Sequence, residues 1–339
     1  MGQMSVAAML LLAACGSVKD TGDDAPIDAP ESDAPADAPP PTASCVGLAP
    51  TCGPGANASC CQAAMVPGGT FFRDYDVPAD LYNDMIYPAT VSTFVLDTYE
   101  VTVGRFRKFV MAGMGTQGNP PGAGTGAHPK LAGSGWNIAW NQNLAVDTAA
   151  LTTALKCTAT YQTWTDAPGA NETRPLNCVT WYEAMAFCIW DGGYLPTDLE
   201  WGYTASGGSE QRAYPWSKPA DALAVDCTYA NYNINTPVGT YCVNGITGGT
   251  SPVGSTSPKG DGRWGHADLP GSVYEWLLDT DGMYPSPCSD CGNLNTSNNR
   301  VIRGGSFGNP ATTLRAGFHN TGVPGSRASG LGFRCARSI

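Results

Sequence analysis

Thirteen cysteines and three histidines carry most of the chemistry this chain could perform. Free thiolates bind soft metals and exchange electrons, whereas paired ones staple a fold, so spacing and compartment decide between the two. His128, His266 and His319 lie far apart, and Cys288-Ser-Asp-Cys291 has no second CxxC or nearby histidine with which to complete a tetrahedral zinc site. Cys15 stands apart from the rest, closing the stretch Leu12-Ala13-Ala14-Cys15. The other twelve cysteines are even in number, as expected of structural disulfides in an exported protein. Aspartates and glutamates are spread through every loop, and no pair has a spacing that marks a general acid and base.

The apolar run from Val6 to Ala14 is too short to span a bilayer and suits a signal-peptide core. With Cys15 at its end it resembles the lipobox of bacterial lipoproteins, which implies cleavage before Cys15 and acylation of that cysteine. The alternatives are an ordinary secretory signal cut nearby or a mis-called start codon, since the usual basic n-region is missing. Each acyl CH₂ buried in lipid would add about 0.8 kcal/mol of anchoring. The expected location is the bacterial cell envelope, at the outer membrane or cell surface. Residues 16–44 repeat Asp-Ala-Pro with hardly an apolar side chain, the composition of a disordered tether. At roughly 3.1 Å per residue its thirty or so residues would reach about 90 Å at most. Of the net charge of −11, this segment supplies −6, so the folded part is only mildly acidic. No run of Lys and Arg marks a nucleic-acid surface, and nucleic-acid binding is set aside.

Several elements must position whatever chemistry exists. Residues 45–64 hold Cys45, Cys52, Cys60 and Cys61 among small, turn-forming residues and read as a disulfide-stapled cap, with all three pairings open. From 65 to 339 no second low-complexity linker interrupts the chain, so one domain is expected. Thr102 can cap a helix in which Val103, Phe106 and Val110 recur at helical spacing. Thr180 with Glu183 forms a capping box before Trp181, Ala184, Met185 and Cys188, and Gly192-Gly193 ends that helix. Thr197 with Glu200 repeats the box before Trp201. With 42 Gly and 27 Pro, the rest is irregular, and the fold class is α+β and loop-rich rather than a βαβ repeat.

Nine stretches in this order are similar to the formylglycine-generating enzyme, or sulfatase-modifying factor, family. They are VPGGTF at 66–71, FVLDTYEVTVGRF at 94–106, NCVTWYEAMAFCIWDGGYLPTDLEW at 177–201, YPWS at 214–217 and YANY at 229–232. They continue with PVGS at 252–255, GHADLPGSVYEW at 265–276, RVIRGGSF at 300–307 and GFRCAR at 332–337. The resemblance implies that family's C-type-lectin-like fold. It also implies a disulfide between Cys188 and Cys335. Cys157 with Cys178, Cys227 with Cys242, and Cys288 with Cys291 are the expected remaining pairs. Structural calcium is implied as well, held at one site by Glu275 and the carbonyls of Gly271 and Val273, with capping of local amides as the plainer role for Glu275. A second site would use Asn231, the carbonyl of Tyr232 and Asn244. Gly304 and Gly305 suit positive φ or close backbone approach, and Arg303 could hold loop carbonyls or a carboxylate.

Aerobic enzymes of the family oxidise a sulfatase cysteine with oxygen and copper held by two cysteines, two and seven residues after the RGGSF phenylalanine. Here those positions are Asn309 and Leu314, so no catalytic pair is assigned and copper is not expected. Other branches of the fold are sulfoxide synthases, tailoring enzymes and ligand-binding receptors. The expectation is therefore a membrane-anchored binding or structural lipoprotein. The alternative is a formylglycine-generating oxidase or other protein-modifying enzyme of the same family. A peptide or glycan ligand would meet a groove formed by the loop after Phe307 with Arg315, His319, Trp264 and Tyr274. Oligomeric state is not legible in the sequence.

Overall fold

The computed structural model describes residues 42–234, 239–243, 248–295 and 299–339. Cys15, most of the tether and Asn244 lie outside the described residues.

Strands β1 (Ala63–Val66) and β4 (Phe94–Asp97) pair antiparallel, and β10 (Ala336–Arg337) joins the free edge of β4. A second small sheet pairs β2 (Gly69–Phe72) with β3 (Pro88–Val91), and β6 (Cys288–Ser289) adds in parallel. The third sheet, in the order β8-β7-β5-β9, holds β5 (Tyr274–Thr280), β7 (Arg300–Arg303), β8 (His319–Gly322) and β9 (Leu331–Gly332). Every residue of β5 is buried, as expected of a strand with neighbours on both edges and side chains covered on both faces.

Four α-helices pack around these sheets among the described residues: α1 (Val103–Met111), α2 (Thr148–Ala154), α3 (Trp181–Trp190) and α4 (Asp198–Ala205). The caps read from sequence are present. Thr102 Oγ1 accepts the Arg105 amide, and both Thr180/Glu183 and Thr197/Glu200 form complete capping boxes. Helix α2 was not legible from apolar periodicity, but Asp147, whose carboxylate accepts the Ala150 amide at 2.8 Å, is the N-cap that could have marked it. Phe106, Phe109, Phe187 and Phe333 meet at ring centroids 5.1–6.4 Å apart and form the centre of the main core.

All twelve described cysteines are paired. The bonds are Cys45–Cys61, Cys52–Cys60, Cys157–Cys178, Cys188–Cys335, Cys227–Cys242 and Cys288–Cys291. The Cys-rich cap and the residue that precedes it, Ser44, dock on the main body through polar contacts. Ser44 donates its amide to Asp191 at 2.8 Å, its hydroxyl accepts Arg105 Nε at 3.0 Å, and the Gly53 amide reaches the Val253 carbonyl. Arg105, fully buried, also pairs with Asp97 at 2.8 Å and Asp191 at 2.7 Å, and Arg337 joins the same two carboxylates. This network explains how α1 carries an arginine on a face that sequence pattern alone would leave to solvent.

Candidate functional site

Strand β7 runs directly into Gly304 and Gly305, with φ of 92° and 72°. A Cβ at Gly304 would lie 2.4 Å from the Leu269 carbonyl, so this turn requires glycine. Arg303 is buried, donates to Asp198 at 2.5 Å and holds the Ala316 and Phe318 carbonyls at 3.3 and 2.9 Å. It thus holds both kinds of acceptor named from sequence and pins the loop that follows.

In that loop Ser306 Oγ lies 2.5 Å from Asn309 Oδ1, and the Asn309 carbonyl accepts the Asn233 amide at 2.9 Å. Leu314 is 1% exposed and packs with Ala213, Tyr214, Trp216, Ala230 and Tyr232. Tyr214, Trp216 and Tyr229 stack in series beside it, with centroids 5.0 and 5.3 Å apart. One of the two positions is therefore a neutral amide in a turn and the other an aliphatic plug in an aromatic cluster. Neither offers sulfur, and the paired cysteines leave no free thiol among the described residues to replace it.

The four groove candidates do not share one surface role. Arg315 is buried, its guanidinium 2.6 Å from Asp76 and 2.7 Å from Asp80, so it is a structural ion pair and not a free ligand contact. Tyr274 is also buried, one of the side chains of β5, because sheet position overrides its polar tip. Trp264 stacks on Tyr203 at 5.5 Å beside Arg263. His319 is the exposed member, 3.4 Å from Tyr284 Oη and 3.7 Å from Asp74.

A carboxylate pair that sequence spacing could not reveal lies nearby. Asp279 Oδ2 accepts the Asp198 amide at 2.8 Å, across 81 residues, and Oδ1 accepts the Asn293 amide at 2.7 Å. Burial, together with the Asp198 charge, pushes the Asp279 carboxyl up to about 7. Arg303 against Asp198 opposes burial there and holds that carboxyl below its usual range. The cavity these two acids line, with Arg73, Tyr284 and Cys291, is only about 20 Å³. That is room for a water and not for a substrate.

The two implied calcium sites fare differently. Glu275 is the buried counter-ion of Arg334, which reaches it at 2.7–2.9 Å through Nε and Nη2, and Trp201 Nε1 donates to the same carboxylate at 2.9 Å. Both oxygens of Glu275 thus serve Arg334 and Trp201 rather than local backbone amides, and a calcium ion held there with the carbonyls of Gly271 and Val273 would share the carboxylate with them. Asn231 offers a better fit. It is buried, its Nδ2 donates to the Gly249 carbonyl at 2.9 Å, and its Oδ1 has no hydrogen-bond partner among the described residues. The neighbouring Tyr232 carbonyl accepts the Cys242 amide at 3.1 Å and keeps a second lone pair. No cluster of three or more His, Cys, Asp or Glu suited to a metal occurs among the described residues.

Residues 49–339 match the family model described as the sulfatase-modifying factor enzyme 1-like domain. The chain is 28% identical to the formylglycine-generating enzyme of Thermomonospora curvata over 301 residues, covering 80% of this chain and 91% of that protein. It is 26% identical to the inactive C-alpha-formylglycine-generating enzyme 2 of Mus musculus over 292 residues, covering 80% of this chain and 84% of that one. The fold is similar to the solved structure of PvdO from Pseudomonas aeruginosa, with a TM-score of 0.55 at 20% identity over 82% of this chain and 94% of that chain.

Proposed function

The chain belongs to the sulfatase-modifying factor family, and from that premise we propose that it is a lipid-anchored, exported member whose domain binds a ligand or serves structurally instead of oxidising cysteine. The observation that carries the reading is Leu314. Where the oxidase needs its second thiolate, an aliphatic side chain 1% exposed is packed against Tyr214 and Trp216. A hydrophobic plug in a close-packed cluster is built for stability, and exchanging it for a metal ligand would open a cavity.

The anchor reading rests on Leu12-Ala13-Ala14-Cys15 and on the Asp-Ala-Pro repeat behind it. Together they would hold the domain away from an envelope membrane on a charged, extended tether. A peptide or glycan is the ligand class we favour. Of the groove candidates, His319 and Trp264 remain for it, since Arg315 and Tyr274 are committed to internal contacts. Calcium, if bound, would take Asn231 Oδ1 and the Tyr232 carbonyl, with Asn244 as a third donor, and would brace the segment closed by Cys227–Cys242.

The test is a Cu(I) titration of the purified domain against a competing chelator. The expected result is no uptake beyond that of the chelator control. Tight stoichiometric binding would overturn the non-oxidase reading.

A further inference from the structure

At the start of β7, away from the loop after Phe307, Arg300 occupies an unusual setting. Its guanidinium lies 3.7 Å from the centroid of the Trp181 ring and 5.6 Å from that of Trp140. It donates to the Leu278 carbonyl at 2.7 Å, and no carboxylate lies within ion-pair distance of it among the described residues. The acid nearest in influence, Asp279, has both oxygens taken by the Asp198 and Asn293 amides and lines the small cavity described above. A cation withdrawn from water without a counter-ion is costly, and burial pulls the Arg300 guanidinium down to about 10.

Arg300 also lines an opening of about 310 Å³ with Trp140, Asn137, Ser134 and Leu294. That volume is at the small end of ligand sites and suits a monosaccharide. A second cleft of about 360 Å³, walled by Trp136 and Ile138, shares Gly133 and Asn137 with it. Trp140 is only partly buried, held edge-to-face against Trp136 and Trp181 at 5.6 and 5.1 Å, so its orientation is fixed before any ligand arrives. The Asn137 oxygen accepts the Ala139 amide at 2.9 Å, which leaves its NH₂ for a hydroxyl.

We propose that this pocket binds a carboxylated sugar, with the Arg300 fork on the carboxylate, Trp140 against the ring and Asn137 on a hydroxyl. A guanidinium matches a carboxylate in two parallel hydrogen bonds, and an aromatic face accepts the apolar face of a sugar ring. The pocket shares no residue with the groove beside Phe307 and stands or falls independently of it.

The probe is D-glucuronate, titrated calorimetrically into the full chain at low ionic strength, with D-glucose as the neutral match and D-galacturonate as a second acid. Saturable binding of at least one uronate is expected, with glucose weaker by roughly tenfold or more because it lacks the charged group. Arg300→Lys keeps the charge and loses the fork, and should weaken the uronate by roughly tenfold in a protein that melts as the wild type does. Should that variant not fold, Asn137→Ala at the rim together with the acid-against-neutral comparison on wild type decides the question. No saturable uronate binding, equal binding of glucose, or unchanged binding by folded Arg300→Lys overturns the proposal and leaves Arg300 a stacking residue.

Discussion

Replacing Glu275 by Gln separates its two readings, buried counter-ion and calcium ligand. Both Glu275 and Arg334 are wholly out of water, with Nε at 2.9 and 2.8 Å from the two carboxylate oxygens and Nη2 at 2.7 Å. Gln keeps the shape and one acceptor, so the perturbation removes the charge and little else. Breaking a buried pair from one side costs about 3–5 kcal/mol, because the surviving ion stays desolvated. Arg334 retains the carbonyls of Asp97, Thr98 and Ala267 at 3.1, 3.0 and 3.0 Å, which places the expected loss at the lower end, about 3 kcal/mol. In urea, with a slope of about 3 kcal/mol/M for a large domain, the midpoint falls by about 1 M. The assay is urea unfolding followed by tryptophan fluorescence, disulfides intact, in calcium and in EDTA. The counter-ion account predicts the same loss in both buffers. A loss below about 1 kcal/mol, or one that vanishes in EDTA, would refute it.

Two further outcomes follow from buried groups and cross-links. His266 is fully buried with neither ring nitrogen hydrogen-bonded among the described side-chain partners, and burial, then the Arg334 charge, pulls it down to about 3. Its folded value is depressed, so the unfolded chain takes up the proton first and stability drops as pH falls from about 6.5 towards 3, by roughly 1.4 kcal/mol per unit. Burial raises Asp268 to about 6, which acts in the opposite sense, its contribution being lost as pH rises from about 4 to 6. The two therefore offset each other between pH 4 and 6 in the wild type, and His266→Leu should gain stability over the wild type steadily on acidification through that window. Parallel unfolding curves at pH 4, 5 and 6 check this, and a constant difference between the two proteins would count against it. Removing Cys188–Cys335, which spans 147 residues, should cost about 5 kcal/mol by loop entropy, against about 2 kcal/mol for Cys288–Cys291, which spans 3. Denaturation of the two double Cys→Ala variants gives the comparison, and equal losses would contradict the loop-entropy account.

The caps and the signature loops were legible because local chemistry dictates them. A Thr three residues before a Glu makes a capping box wherever it falls at a helix start, and a side chain at Gly304 would clash with the Leu269 carbonyl, one at Gly305 with Thr313. What sequence could not convey was pairing over distance. Arg315 looks like a surface cation until Asp76, 239 residues earlier, closes on it. Glu275 looks like a carboxylate without a counter-ion until Arg334 closes on it from 59 residues away. Asp198 and Asp279 likewise become a pair only through the contact of α4 with β5. Each case is a buried charge whose partner is set by topology, and no local propensity records it.

On the proposed reading the fold persists without the oxidase. Its most direct test is to load the purified domain with Cu(I), incubate it with a CxPxR peptide and oxygen, and follow the peptide by mass spectrometry. A peptide of unchanged mass is expected, with Leu314 still plugging the aromatic cluster. Turnover to the mass of the formylglycine product would contradict it.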